Sequence, residues 1–443
     1  MTVASVATAQ LARELAAIAG EANVCEEAGA LTGFAIDGVR PGIWVVPGSA
    51  DEVAGIIRVA NERRASVTVA GGFTKQSMGN KPETVDILLR TERLNRVLHF
   101  DPGDLTVGVE AGCRVGEVQR TASESALLFP LDIAKATQAT IGGVLTTASF
   151  GPLKHGFGGV REYCIGVSFV TGDGRIAKAG GRVVKNVAGY DLMKLMIGSH
   201  GTLGVITSAN FKLFPAPKQT LTFVADFADC QSAMEFRDLV RRSPLSPMCL
   251  EVLSPRAHDY VAESGEGWSI AVRAAGSNAV LGRYRRELGS SVQREFGGAQ
   301  EERFWSGVRE FPETVVRQHQ NAMLLSLQLA ATDAALMLDQ MNRISENCNF
   351  LFACVGRAAL ASLEYALIPL SVDPPPVEQY SNALKEVRRM SSARGVAIVT
   401  HCPREAKRYL SVWGEPTGDL DAMLAVKHAL DPNDIMNRGR FLF

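Results

Sequence analysis

Three glycine-bearing loops between Gly71 and Gly204 constrain this chain more than any other feature. They are Gly71-Gly72-Phe73-Thr74-Lys75, Thr140-Ile141-Gly142-Gly143 and Gly198-Ser199-His200-Gly201-Thr202-Leu203-Gly204, and each follows or bounds a strand candidate. Glycine permits positive φ and close backbone approach, so successive N–H groups can converge on an anion such as a diphosphate. One such loop reads equally well as a tight turn; three in one segment favour a nucleotide cradle. The third loop has the wrong spacing for GxGxxG and leads into Val205-Ile206-Thr207, a β run rather than a helix, which excludes a Rossmann site. No GxxxxGK[ST] occurs. What remains is a cofactor diphosphate held by loops between strands.

The 443 residues suffice for two or three domains at about 150 residues each. From Gly42 to Pro217 short β runs alternate with tight turns. Strands are expected at Ile43–Val46, Val67–Val69, Asp86–Leu89, Val97–Phe100, Leu105–Glu110, Cys164–Thr171 and Arg175–Ala179. Ser49 with Glu52 three later is a capping box opening a helix to about Arg63. Strands and helices mix without the regular beat of a doubly wound sheet, so the fold class is α+β. Phe214-Pro215-Ala216-Pro217 reads as an extended linker. Longer helical patterns follow, at Ser232–Arg242, Ser277–Leu288, Thr332–Ile344 and Val377–Met390, interleaved with strand candidates, as in an α/β sandwich. The expected division is an N-terminal helical segment (1–38), a first domain (39–217), a second domain (218–419) and a closing segment (420–443).

Composition narrows the function. With 46 Lys+Arg against 47 Asp+Glu, nothing points to nucleic acid or an anionic membrane. No apolar run approaches the length of a spanning helix, and the start lacks a basic, then apolar, leader pattern. Eight scattered cysteines form no CxxC pair and read as reduced core thiols, and no His-x(3–4)-His spacing exists, so no metal site is expected.

The stretch from Pro47 to Pro217 resembles the FAD-binding domain of the PCMH-type, or vanillyl-alcohol-oxidase, flavoproteins. Carrying the resemblance are Val69-Ala70-Gly71-Gly72, Val109-Glu110-Ala111-Gly112, Ala139-Thr140-Ile141-Gly142-Gly143, Thr171-Gly172-Asp173-Gly174 and Gly201-Thr202-Leu203-Gly204-Val205-Ile206-Thr207, in that order. The block Gly180 to Thr207 is similar to the FAD-binding subunit of bacterial glycolate oxidase and its D-lactate dehydrogenase relatives, and Leu430-Asp431-Pro432 with Ile435-Met436-Asn437-Arg438-Gly439 resembles the family's closing motif. The resemblance implies FAD, a PCMH-type domain of two α+β subdomains and a second, cap domain over the substrate. It implies that Ala70, Gly71, Gly72, Phe73, Thr74 and Lys75 wrap the diphosphate, that Ala139, Thr140, Gly142 and Gly143 add backbone donors, that Gly201, Gly204 and Ile206 lie against the flavin or adenine, and that Asn437 touches the cofactor from the tail. Phe73 stands where covalent members carry the flavin-linked histidine, so FAD is expected to be noncovalent. His200 replaces an acidic residue, Arg438 replaces a proline and should loosen its turn, and the metal-binding His-x-Gly-Asp-Gly-Asn of D-lactate dehydrogenase-like relatives is missing.

The implied activity is oxidation of a 2-hydroxy acid such as glycolate or D-lactate, with hydride passing to flavin N5. That chemistry needs a cation for the carboxylate and a base for the hydroxyl proton. His401, at the end of the apolar run Val396 to Thr400, and His155, in Gly151-Pro152-Leu153-Lys154-His155, are the base candidates. Lys185, in the family-like Lys185-Asn186-Val187-Ala188-Gly189-Tyr190 run, is a third site candidate. Arg273, Arg303, Arg309, Arg317 and Arg357 are the clamp candidates, and nothing in the sequence selects among them. Without clustered cysteines for an iron–sulfur centre, electrons are expected to leave through iron–sulfur and flavoprotein partner subunits or a diffusible acceptor. A cytoplasmic chain is implied, with attachment at the inner face of the membrane through a partner left open. Two other readings stand beside this one: a non-catalytic flavin-carrying relay subunit, and an oxygen-using sugar or lactone oxidase.

Overall fold

The computed structural model describes residues 3–182, 191–262, 265–332, 334–391, 395–416 and 418–442. In the first sheet β1 (Val24–Cys25) pairs antiparallel with β2 (Ile43–Val45), and β2 and β3 (Val67–Ala70) flank β4 (Ile87–Arg90), both parallel to it. The Ser49 hydroxyl accepts the Glu52 N–H at 3.1 Å while the Glu52 carboxylate accepts the Gly48 N–H at 2.7 Å, opening the Ala50–Arg63 helix. That helix and Val3–Ala19 close over the sheet through Leu15, Val53, Ile56 and Ile57.

The second sheet is antiparallel, in the order β5 (Val97–Asp101), β6 (Thr106–Glu110), β10 (Gly204–Lys212), β8 (Cys164–Thr171) and β9 (Ile176–Gly180). Phe214 and Pro215, expected as linker, instead form β11 and pair with Leu128 and Leu127 of β7 (Leu127–Leu128). A two-stranded ladder tolerates the missing proline N–H at its edge.

The C-terminal half is built on one eight-stranded antiparallel sheet, ordered β15 (Arg294–Phe296), β12 (Thr220–Phe227), β14 (Trp268–Ala275), β13 (Cys249–Leu253), β17 (Phe350–Arg357), β18 (Ser362–Pro369), β16 (Met323–Gln328), β19 (Val396–His401). Alternation along the strands separates its faces. Phe352, Tyr365, Leu325 and Val399 pack under helices Cys230–Arg242, Asn278–Leu288, Ala334–Asn347 and Val377–Ser391. Ala353, Val355, Ala366 and Leu324 face the other way, toward the Gly298–Gln318 helix and Leu153 of the N-terminal half. The sequence pattern does not mark that helix, because Pro312 lies inside it and Gly297-Gly298 open it.

The tail returns to the N-terminal half. Val67 donates to the Ile435 carbonyl and Asn437 to the Val67 carbonyl, each at 2.8 Å, so the chain after the Leu420–Leu430 helix lies along β3. Arg438, expected to loosen the turn, closes it by donating to the Asp434 carbonyl at 2.7 Å.

Candidate active site

The three glycine loops converge on one cleft. Gly71, Gly72, Phe73, Thr74, Lys75, Ala139, Thr140, Gly142, Gly143, Gly201, Gly204, Ile206 and Asn437 all line it, enclosing about 920 Å³ including the open mouth. Ala70, expected in the same group, is buried at the end of β3 and does not line the cleft; its carbonyl accepts the Thr91 N–H at 3.0 Å. The N–H groups of residues 71–75 donate no hydrogen bond among the described residues. Phe73 sits at φ 56, in the left-handed region. Free consecutive amides in such a turn are the form of an anion nest.

The second loop is used differently from its expected role. Gly142 and Gly143 begin the Ile141–Thr147 helix, where the Gly142 N–H already donates to the Ala111 carbonyl at 2.7 Å and the Gly143 N–H to the Thr140 hydroxyl at 3.4 Å. They bring the backbone close rather than supply free donors. At Gly201 (φ 70) a Cβ would stand 2.5 Å from Asn437 Nδ2, so only glycine lets the tail approach. Asn437 donates to the His200 carbonyl at 2.6 Å, and its buried Oδ1 has no partner. The free amides and this orphaned acceptor fit a bound nucleotide cofactor.

Walls behind the cleft hold it open. Buried Arg440 donates to the carbonyls of Gln76 (2.7 Å), Met78 (2.6 Å) and Asn80 (3.0 Å), fixing the chain that follows Lys75. Lys407 reaches Asp37 at 2.6 Å beside it. His200 lies against Trp413 and Phe441, with ring centroids 4.5 and 5.2 Å away, and burial draws its pKa down to about 4, so it stands neutral. Gly72 makes the tightest contact, since a Cβ there would lie 1.8 Å from the Gln138 carbonyl oxygen. The obstacle is thus the neighbouring loop, not the space for a diphosphate. Gly72→Ala should splay the two loops and cut FAD retained through purification by about tenfold. The ratio of flavin to protein absorbance checks this, with circular dichroism confirming the fold.

A second cavity, about 1720 Å³ with its opening, shares Phe73, Thr74, Lys75, Met78, Ile133, Thr147, Ser149 and His200 with the cleft and runs on beneath the eight-stranded sheet. His401 lines it. The imidazole is engaged with the Gln320 backbone, while its buried Nε2 has no partner. Burial lowers its pKa, assisted by Lys407 and opposed by Glu313 and Asp37. Of the five arginines weighed, Arg309 and Arg357 line the cavity and the other three do not. Arg273 pairs with Glu301 at 3.2 Å, and Arg317 is turned to Thr314. His155 lies elsewhere, in a groove with Ser246, Pro247 and Met248. Lys185 lies outside the described residues.

Sequence reasoning missed Asp132, Glu251, Glu313 and Glu364, which also line the cavity. Glu251 is 0% exposed and neither of its oxygens has a hydrogen-bond partner. Burial raises its pKa to about 8 and that of Asp132 to about 7. An acidic residue inside the apolar pattern of Cys249–Leu253 was the available signal. Among the described residues no three His, Cys, Asp or Glu side chains are grouped to hold a metal, and no helix is long and apolar enough to cross a membrane.

This chain belongs to the FAD linked oxidases: residues 41–180 match an FAD binding domain and residues 216–441, about half the chain, match the C-terminal domain of that family. It is an FAD-dependent oxidoreductase of α+β fold. Over 417 residues it is 26% identical to the glycolate oxidase subunit GlcD of Bacillus subtilis (strain 168), covering 90% of this chain and 88% of that one. It is also 35% identical over 227 residues to a D-lactate dehydrogenase of Archaeoglobus fulgidus, covering 51% of each. Among solved structures, p-cresol methylhydroxylase with substrate bound superposes with a TM-score of 0.77 at 16% identity, over 99% of this chain and 97% of the other, which is a likeness of fold.

Proposed function

We propose that this chain, alone or as the FAD-bearing subunit of a larger oxidase, oxidises a 2-hydroxy acid of the class that glycolate and D-lactate represent. The observation that carries the reading is the buried, unpartnered Nε2 of His401 in a cavity continuous with the glycine-loop cleft. FAD held in the cleft, noncovalently because Phe73 offers no nucleophile, supplies the two-electron acceptor. Arg309 takes the substrate carboxylate. Its guanidinium spends one N–H on exposed Glu302 at 2.6 Å, which leaves donors for a carboxylate. Arg309 and Glu313 lie one turn apart on the same helix face; the Glu313 charge is felt at His401 and the Arg309 charge at Asp132, so the clamp stands between the imidazole and the Asp132 part of the cavity. Neutral His401 accepts the hydroxyl proton at Nε2, and the resulting cation keeps its engagement with the Gln320 backbone.

All eight cysteines are free and, among the described residues, none belongs to a cluster, which supports electrons leaving through a partner subunit or a diffusible acceptor. Anaerobic bleaching of the flavin band by glycolate or D-lactate tests the activity. Colour that persists with every 2-hydroxy acid would move the chain to a non-catalytic, flavin-carrying subunit. Arg309→Lys should weaken binding of the acid by about 10- to 100-fold, the worth of charge-assisted hydrogen bonds lost from a planar fork, and titration of the oxidised flavin spectrum reads this directly.

A further inference from the structure

The cavity extends well past His401, and the part beyond Arg309, whose charge reaches Asp132, holds polar atoms that no described residue satisfies. Arg357, 3% exposed, donates Nε to the Ser362 carbonyl at 2.9 Å and stacks over Phe150 at 4.7 Å, but its Nη2 has no hydrogen bond and only a 3.7 Å ion pair with Glu364. Across the ladder, Glu251 stands in register with Arg357 and has both oxygens unpartnered. Asp132, 7% exposed, accepts the Leu153 N–H at 2.9 Å through Oδ2 and leaves Oδ1 bare. Buried polar atoms are almost always paired, so four orphans in one recess mark an absent polar ligand. We infer that this recess binds the hydroxyl-bearing tail of a sugar acid, so that the substrate is a polyhydroxylated 2-hydroxy acid rather than glycolate or lactate.

Length and chemistry both point this way. Arg357 on β17 and His401 on β19 are three strand spacings apart in the sheet order, roughly 14 Å along the sheet. A two- or three-carbon acid seated at His401 leaves the recess around Arg357 and Glu251 empty. The tail must offer an acceptor to Arg357 and partners to two carboxyl groups. A hydroxyl both donates and accepts, so a run of them meets every orphan whether or not Glu251 and Asp132 are ionised. A second carboxylate is acceptor-only: Arg357 suits it, but it pairs with Asp132, Glu251 and Glu364 only where those groups are protonated, and its binding would fall as they ionise. An alkyl tail would leave all of the orphans buried and unpaired.

The inference rests on the 2-hydroxy-acid reading above, and the test separates the two. The holoenzyme is titrated with D-gluconate, 2-hydroxyhexanoate, 2-hydroxyadipate and glycolate, following the oxidised flavin spectrum and heat of binding. Flavin bleaching is followed in parallel. D-Gluconate is expected to bind about a hundredfold tighter than 2-hydroxyhexanoate, whose chain is as long but bare. In Glu251→Gln and, separately, Asp132→Asn, that ratio should narrow at least about tenfold while flavin content stays that of the parent chain. Equal affinity for D-gluconate and 2-hydroxyhexanoate, or tightest binding of glycolate or 2-hydroxyadipate, overturns the inference even if the flavin bleaches. Preferential gluconate binding without bleaching supports this ligand class and overturns the catalytic reading instead.

Discussion

Replacing His401 by alanine slows anaerobic flavin reduction by the substrate by about 10²- to 10⁴-fold, the usual worth of a positioned base, while bound FAD stays at the parent level. Flavin content should hold because His401 lies outside the glycine-loop cleft. The slowing should be large because alanine leaves no group at this place in the cavity to take the proton. Stopped-flow absorbance at the flavin band measures it. The parent chain adds a second signature. Burial holds the His401 pKa below 6.5, so the base form prevails at neutral pH. The reduction rate should therefore be flat above that value and fall as pH drops through the lowered pKa. A profile still falling above neutrality, or a parent-like rate in His401→Ala, would assign the proton to another group.

Lys427→Met should cost about 3–5 kcal/mol of stability, the price of stranding a buried charge. Lys427 is 3% exposed and Asp431 0%. The ammonium donates to Asp431 at 2.5 Å and to the carbonyls of Thr202 at 2.9 Å and Met436 at 3.2 Å. Asp431 in turn accepts the N–H groups of Ile435 at 3.1 Å and Met436 at 2.8 Å. The pair thus ties the tail to the third glycine loop and sets the turn that delivers Asn437 into the cleft. Guanidinium denaturation checks the stability loss, and FAD retention should fall with it. Lys427→Met combined with Asp431→Asn should recover part of the loss, because the stranded charge is removed while the amide oxygen still accepts a backbone N–H of the turn. A single-variant loss under about 1 kcal/mol would place this pair with ordinary surface ion pairs.

Local chemistry was readable where it acts over a few residues. Ser49 and Glu52 announced their helix, and the glycine loops announced close backbone approach. The Gly298–Gln318 helix was not readable, since Pro312 breaks the local pattern and burial of Phe304, Trp305, Val308 and Phe311 against the sheet overrides it. The arginines show the limit most plainly. Five were indistinguishable as residue types, and only the packing of one helix and one strand turned Arg309 and Arg357 into the cavity while committing Arg273 to Glu301.

By itself, the order of residues determined where strands end in glycine, which helices are capped and where the backbone can be approached closely, because turns, caps and positive φ depend on neighbours in the chain. Only the tertiary structure decided which side chains share the cavity. His401, Arg309, Asp132, Glu251 and Arg357 come from distant parts of the chain, and their pairing, burial and proton affinity exist only once the sheet, the Gly298–Gln318 helix and the N-terminal half have closed around them.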